Sequence, residues 1–218
     1  MTIQVFGPGG PYTPMLECAE SFREVNGIEV EVAMGTPDQW MDRARENADL
    51  IYGGAEYMMS DFIAAYPGMV DETSVTNLFA REVGIIVRPG NPAGITALAD
   101  LGRGNIRILN VQLEKMEALQ NRANLGSDSV SLSVLTGKEA FEAWPSRTDI
   151  DAWITYRSWH VKLGESSDFV HLPPAERLLR ATPIAITALS KHRREAGAFI
   201  EFLRSDRGRK IFQKWGWE

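Results

Sequence analysis

The sequence predicts an α/β fold built as two lobes that share crossing strands. Three observations lead there. Short apolar strands alternate with helix-period segments, glycine-rich turns stand where strands hand over to helices, and no low-complexity linker separates the halves. No repeat of 20–50 residues and no heptad run offers another architecture.

In order, Ile3–Phe6 reads as a strand closed by the turn Gly7-Pro8-Gly9-Gly10-Pro11. Thr13 as N-cap and Pro14 at the first helical position open a helix that turns Met15, Leu16, Ala19, Phe22 and Val25 inward, with Cys18 as a buried thiol, and Asn26-Gly27 ends it. Ile28–Ala33 alternates like a half-buried strand. Thr36-Pro37-Asp38-Gln39 is a capping box before a helix that carries Trp40, Met41 and Ala44. Asp49–Tyr52 is a third strand, broken by Gly53-Gly54, and a helix through Met58, Met59, Phe62 and Ile63 follows.

Further strands are expected at Glu82–Arg88, Ile106–Leu109, Ser129–Leu135, Asp151–Thr155, Asp168–Leu172 and Pro183–Thr187. A helical stretch is expected from Leu113 to Asn124, and a second capping box at Thr136-Gly137-Lys138-Glu139. The chain then runs in helix with Phe199, Ile200, Phe202, Leu203, Ile211, Phe212 and Trp215 on its apolar side.

Composition narrows the function. The 218 residues are 44% hydrophobic, with six Trp and nine Phe, enough for a substantial core. A net charge of −6 argues against nucleic acid, which needs a basic stripe; the run Lys191-His192-Arg193-Arg194 reads as a solvated helix start. One cysteine allows no intrachain disulfide. No apolar run is long enough to insert in a membrane, and no signal peptide is visible, so the chain is expected to be either cytoplasmic or a mature exported form.

Open parallel sheets bind ligands beyond the carboxyl ends of their strands. Three such ends are rich in small or polar residues: Gly7 to Thr13, Gly53 to Glu56, and Thr155 to Ser158. The first two precede helix starts, whose backbone N–H groups favour an anion, and Tyr12 and Thr13 add hydroxyls. The bland alternative is a tight turn. A dinucleotide fingerprint fails because Tyr12 stands where a third glycine is required, and no phosphate-binding Gly-Lys loop is present. His160, His171 and His192 lack metal-ligand spacing and read as surface or capping residues; neither a metal nor a cofactor is called for. Asp149 and Asp151 flank a strand and read as solvent-facing or turn-capping. There is no Gly-x-Ser-x-Gly elbow, and no base–nucleophile set is legible, so the chain is read as a non-enzyme. Trp40, Trp144, Trp153 and Trp215 read as core.

Ordered blocks carry a family resemblance. Val5 to Pro11, Gly35 to Trp40, Ala48 to Phe62, Val87 to Pro92, Asp149 to Trp153 and Phe202 to Trp217 resemble the accessory colonization factor AcfC family across nearly the whole chain. The resemblance implies a type 2 periplasmic-binding-protein fold related to the molybdate- and sulfate-binding proteins, with lobe 1 formed by 1–82 plus 179–218 and lobe 2 by 83–178. It implies a periplasmic or cell-surface location. It also implies a small anionic ligand, an oxyanion or a carboxylated or phosphorylated metabolite, held between the lobes. The implied partners are a membrane transporter and, as in some members, a second copy of the chain.

By position, Gly9, Gly10, Tyr12, Thr13, Gly53, Gly54, Ala55 and Glu56 would form the first lobe's share of the site, with Arg81, Thr155, Tyr156, Arg157 and Thr182 approaching from the crossover and second lobe. The family's Gly-Ala-Gly-Gln-Thr-Gly stretch is replaced here by Val111-Gln112-Leu113-Glu114-Lys115-Met116. Glu114 there is expected to repel an anion and Lys115 to attract one. This departure motivates a second reading, a surface adhesin or antigen whose site is vestigial.

Overall fold

The computed structural model describes residues 1–218, apart from the side chain of Ser127. The chain divides into two compact units, Met1–Ala80 with Arg180–Glu218, and Arg81–Leu179.

Unit 1 opens as the alternation foretold: β1 (Thr2–Gly7), α1 (Tyr12–Asn26), β2 (Glu29–Met34), α2 (Pro37–Asn47), β3 (Leu50–Tyr52) and α3 (Glu56–Ala65). It is completed by β9 (Leu178–Ile186), whose first two residues lie in unit 2, and by α7 (Arg193–Arg204) and α8 (Asp206–Lys214). The strand order is β2-β1-β3-β9, with β1 parallel to β2 and β3, and β9 antiparallel to β3. Alternate strand residues feed opposite faces, as a period of two requires. Ile3, Val5, Leu50, Tyr52 and Ile184 pack under α1, α7 and α8 with Phe22, Phe199 and Phe212, whereas Phe6, Ile51 and Ala185 pack under α2 and α3 with Trp40, Met59 and Phe62.

Unit 2 is built on β4 (Thr76–Val87), whose first five residues belong to unit 1. It adds β5 (Ile108–Val111), α4 (Glu117–Arg122), β6 (Val130–Val134), α5 (Gly137–Ala143), β7 (Ala152–Tyr156), α6 (Arg157–Leu163) and β8 (Asp168–His171). Strands run β4-β7-β5-β6, with β8 on the other edge of β4. β7, β5 and β6 are parallel, and β4 is antiparallel to both β7 and β8. Arg88 staples this unit: its Nε, Nη1 and Nη2 donate to the carbonyls of Ile150 (2.6 Å), Trp144 (3.0 Å) and Arg147 (2.6 Å), and its guanidinium lies 3.8 Å from the Trp144 ring centroid.

Several expectations need correction. α1 starts two residues early, on Pro11 as N-cap, because Pro11 already holds helical dihedrals; Thr13 lies inside the first turn. Leu16 (36% exposed) and Val25 (59%) face solvent, and Cys18 and Ser21 take the inward places. The stretch from Leu113 to Asn124 is not one helix. A 3-10 turn at Gln112–Glu114 ends on Lys115 in the left-handed region (φ 49°), which stops it before α4 begins. β4 and β9 each start well ahead of the expected strands, since mixed segments such as Thr76–Arg81 carry no alternation that separates strand from loop. The second capping box forms fully: Glu139 N–H donates to Thr136 Oγ1 (3.2 Å) and Thr136 N–H to Glu139 Oε2 (3.0 Å).

Candidate functional site

In unit 1 the glycine turn is shaped by Tyr52. Its ring lies so close under Gly7 that a Cβ there would stand 2.6 Å from ring carbons, and its hydroxyl donates to Pro8 O (3.1 Å). Burial, then the neighbouring Tyr12, pushes the Tyr52 hydroxyl far above its ordinary pKa, so it stays neutral and serves as a structural donor. Above this ring sit half-buried Gly9, Gly10, Tyr12 and Thr13, at the start of the 15-residue α1. Pro11 as N-cap offers no side-chain acceptor, and the first turn carries no acidic residue, so its positive end keeps its full field.

α3 opens on Ala55, again without a capping side chain. Gly53 lets β3 approach β9: its N–H donates to Pro183 O (2.8 Å), and a Cβ would meet Pro183 Cγ at 2.9 Å. Gly54 and Ala55 are buried. Glu56 ties to β9, its Oε1 accepting from Ala181 N–H (2.7 Å). Thr182 is likewise engaged, its Oγ1 accepting from Trp217 Nε1–H (2.9 Å).

In unit 2 the structure assembles a charged cluster that only partly matches the expected set. Arg81, 2% exposed, lays its guanidinium 3.8 Å from the Tyr156 ring centroid and donates from Nη1 to Ser158 Oγ (3.4 Å). Lys162, two turns along α6 from Tyr156, stands 4.6 Å from the Trp159 ring centroid. Burial, and then the charge of Arg81, pull the Lys162 ammonium down to about 7. Glu114 is buried too: its Oε2 accepts from Thr155 Oγ1–H (2.6 Å) and its Oε1 from Trp159 Nε1–H (2.8 Å). Burial pushes its carboxyl up to about 7, while the Thr155 and Trp159 hydrogen bonds and the field of Arg81 act the other way. Gly137, the first residue of α5, makes room for it; a Cβ there would stand 2.7 Å from Glu114 Oε1.

Arg81, Thr155 and Tyr156 are thus brought together. Arg157 lies on another part of the unit, lining a groove of about 480 Å³ with Asn91, His160, Asp168, Phe169 and His171. Lys115 is exposed at the end of the 3-10 turn. The histidines are more engaged than a surface role suggests. His171 Nδ1 meets the buried Glu82 carboxylate at 2.9 Å, His160 Nδ1 meets Ser167 Oγ at 2.9 Å, and His192 Nδ1 reaches buried Asp49 at 3.3 Å.

Sequence reasoning missed Lys162, Trp159 and the inward turn of Glu114. For the first two a signal existed: Tyr156, Trp159 and Lys162 recur every third residue from a strand end into a helix, which places them along one face. The burial of Glu114 gave none, since nothing between Val111 and Met116 shows what receives the carboxylate.

The bacterial extracellular solute-binding protein family model matches residues 3–218. The chain belongs to that family. Among curated proteins it is similar to one described as an ABC transporter substrate-binding lipoprotein, YvgL of Bacillus subtilis (strain 168), at 22% identity over 176 residues; the match covers 78% of this chain and 66% of YvgL, just under two thirds of that relative. Among solved structures it is similar to PEB3, known from Campylobacter jejuni, with L-phospholactate bound (TM-score 0.85, 22% identity, 99% of each chain). It is also similar to the sulfate-binding protein SubI of Mycobacterium tuberculosis H37Rv (0.82, 22%, 100% of this chain and 86% of that one). A third is the periplasmic molybdate-binding protein of Azotobacter vinelandii (0.69, 12%, 99% and 98%). The fold of this solute-binding protein is that of the type 2 periplasmic binding proteins.

Proposed function

We propose that this solute-binding protein captures a small anion, an oxyanion or a carboxylated or phosphorylated metabolite, and delivers it unchanged to an ABC-type membrane transporter from the periplasm or cell surface. The observation that carries this is the placement of Arg81 and Lys162: a buried guanidinium and a half-buried ammonium around the Tyr156 and Trp159 rings, with the carboxylate of Glu114 beside them. Cations held in a medium less polar than water favour negative charge nearby. Unit 1 offers a second element of the same sign, the N-terminal turns of α1 and α3 with Gly9, Gly10, Tyr12, Thr13, Gly53, Gly54 and Ala55. PEB3, SubI and the molybdate-binding protein are named with L-phospholactate, sulfate and molybdate, three anions, which supports this reading over a vestigial adhesin, although the similar HitA of Pseudomonas aeruginosa is named with iron.

In this reading Arg81 supplies a planar fork suited to carboxylate or phosphate oxygens, and Tyr156 holds that fork in place from below. Thr155 and Thr182 act by positioning Glu114 and Trp217, and Arg157 and Lys115 contribute long-range attraction.

The test is calorimetric titration with sulfate, molybdate, L-phospholactate and a set of three- and four-carbon carboxylates, on wild type and Arg81→Met. At least one anion is expected to bind, to weaken at least tenfold in Arg81→Met, and to be recovered chemically intact. A folded wild type that binds none of them overturns the proposal, and a consumed ligand overturns delivery unchanged.

A further inference from the structure

The hydrogen bonds around Glu114 work in both of its protonation states. Trp159 Nε1–H has only a proton to give, and it gives it to Oε1 whether the carboxyl is charged or neutral. Thr155 is different, because a hydroxyl both donates and accepts. With Glu114 ionised, Thr155 Oγ1–H donates to Oε2; with Glu114 protonated on Oε2, the same 2.6 Å contact carries the hydrogen the other way. That length suits an O–H···O bond in either direction. A proton therefore arrives or leaves without moving a heavy atom: the Thr155 hydroxyl hydrogen turns aside as the carboxyl hydrogen takes its place in the contact.

We propose that unit 2 takes up a proton together with its anion, with Glu114 as the group that receives it. The inference rests on the anion-binding reading above and deepens it. An anion near Arg81 and Lys162 brings a second negative charge beside Glu114, and like charges in a desolvated site resist being ionised together. Neutralising Glu114 removes that conflict and releases the field of Arg81 for the ligand.

The charged groups around Glu114 act in one direction. Arg81 on β4 favours its ionised form, against the larger effect of burial. Lys162 on α6 answers first to burial and then to Arg81, and an anion raises its proton affinity too, so it adds uptake of the same sign. Thr155 and Trp153 on β7, Trp159 on α6 and Gly137 on α5 bring no charge. The titrating region of both groups, about 7, falls where the coupling acts near neutrality.

The experiment measures sulfate binding, because sulfate does not change its own charge over the range, at pH 6.5 and pH 8.5, and at pH 7.5 in two buffers of different ionisation enthalpy. L-Phospholactate serves as a second probe, its own titration cancelling between wild type and variant. Wild type is expected to bind about tenfold or more weakly at pH 8.5 than at pH 6.5, since each coupled proton contributes up to about tenfold per pH unit. It should also take up a fraction of a proton or more per anion at pH 7.5.

Glu114→Gln is near-isosteric and cannot titrate. It should reduce the uptake by up to one proton, flatten the pH dependence and bind more tightly than wild type at pH 8.5. Lys162→Met should retain the Glu114 share of the uptake, which keeps the test open should Glu114→Gln fold poorly. Binding with unchanged affinity across the range and no proton uptake overturns this inference while leaving anion capture intact. Binding of neither anion defeats the anion-capture reading instead.

Discussion

Trp159 and Glu114 are joined by a 2.8 Å hydrogen bond from the indole Nε1–H to a buried carboxylate oxygen, linking the start of α6 to the turn after β5. That bond makes the turn part of the core of unit 2.

Its first consequence is a pH dependence of stability in the unliganded protein. The Glu114 carboxyl is raised in the folded state to about 7, above its ordinary value of 4.5, so folding favours its protonated form. The resulting stabilisation is fully present below about pH 4.5 and is lost as the pH rises through about 7. Urea unfolding at pH 5 and pH 8 should show this decline in wild type, on the order of a few kcal/mol, and Glu114→Gln should remove it. Glu114→Ala, which strands the Thr155 hydroxyl and Trp159 indole and leaves a cavity, should cost about 2–4 kcal/mol at pH 5.

Lys162 behaves oppositely. Its ammonium is depressed from its ordinary value of 10.5 to about 7, so the folded state binds its proton less tightly than the unfolded chain. Its contribution therefore rises with pH between about 7 and 10.5. Replacing it by methionine, which keeps the apolar contact with the Trp159 ring, should raise stability at pH 7 and flatten the profile above it in thermal melts.

Arg88 satisfies three backbone carbonyls with three different nitrogens. A lysine cannot reproduce that planar fork. Arg88→Lys should cost about 2 kcal/mol and Arg88→Ala about 3–5 kcal/mol in denaturant unfolding, because the stranded carbonyls lose their donors.

Gly7 leaves no space above the Tyr52 ring. Gly7→Ala should destabilise by about 1–3 kcal/mol and weaken anion binding along with it, since the ring cannot move without releasing Pro8. Tyr52→Phe removes only the hydroxyl bond and should cost about 1 kcal/mol, with affinity largely kept.

The alternation of unit 1 was legible because its strands and helices are bounded by strong punctuation: Gly-Pro turns after Phe6, Thr36-Pro37 before α2, and Asn26-Gly27 after α1. The glycine turns were legible for the same reason, as close backbone approach admits few other residues. What stayed hidden depends on distant partners. Thr76–Ala80 is part of β4, which neighbours β9 in the sheet, and its own residues do not alternate. Arg81 was picked out by position, but its setting on Tyr156 and beside Lys162 joins residues about 80 apart, which no local pattern reports. The burial of Glu114 was not legible, because Gly137 and Trp159, which receive it, lie more than 20 residues downstream.

Unit 2 lies wholly within residues 81–179, whereas unit 1 joins residues 1–80 to residues 180–218. Trp217, buried against Phe212 and bonded to Thr182, and Glu218, whose N–H reaches Ala80 O, are among the contacts that complete it. On an emerging polypeptide the leading 80 residues therefore stay without their finished core until synthesis has passed the whole of the inserted unit. Until residues 180–218 have been made, residues 1–80 stay open to proteases.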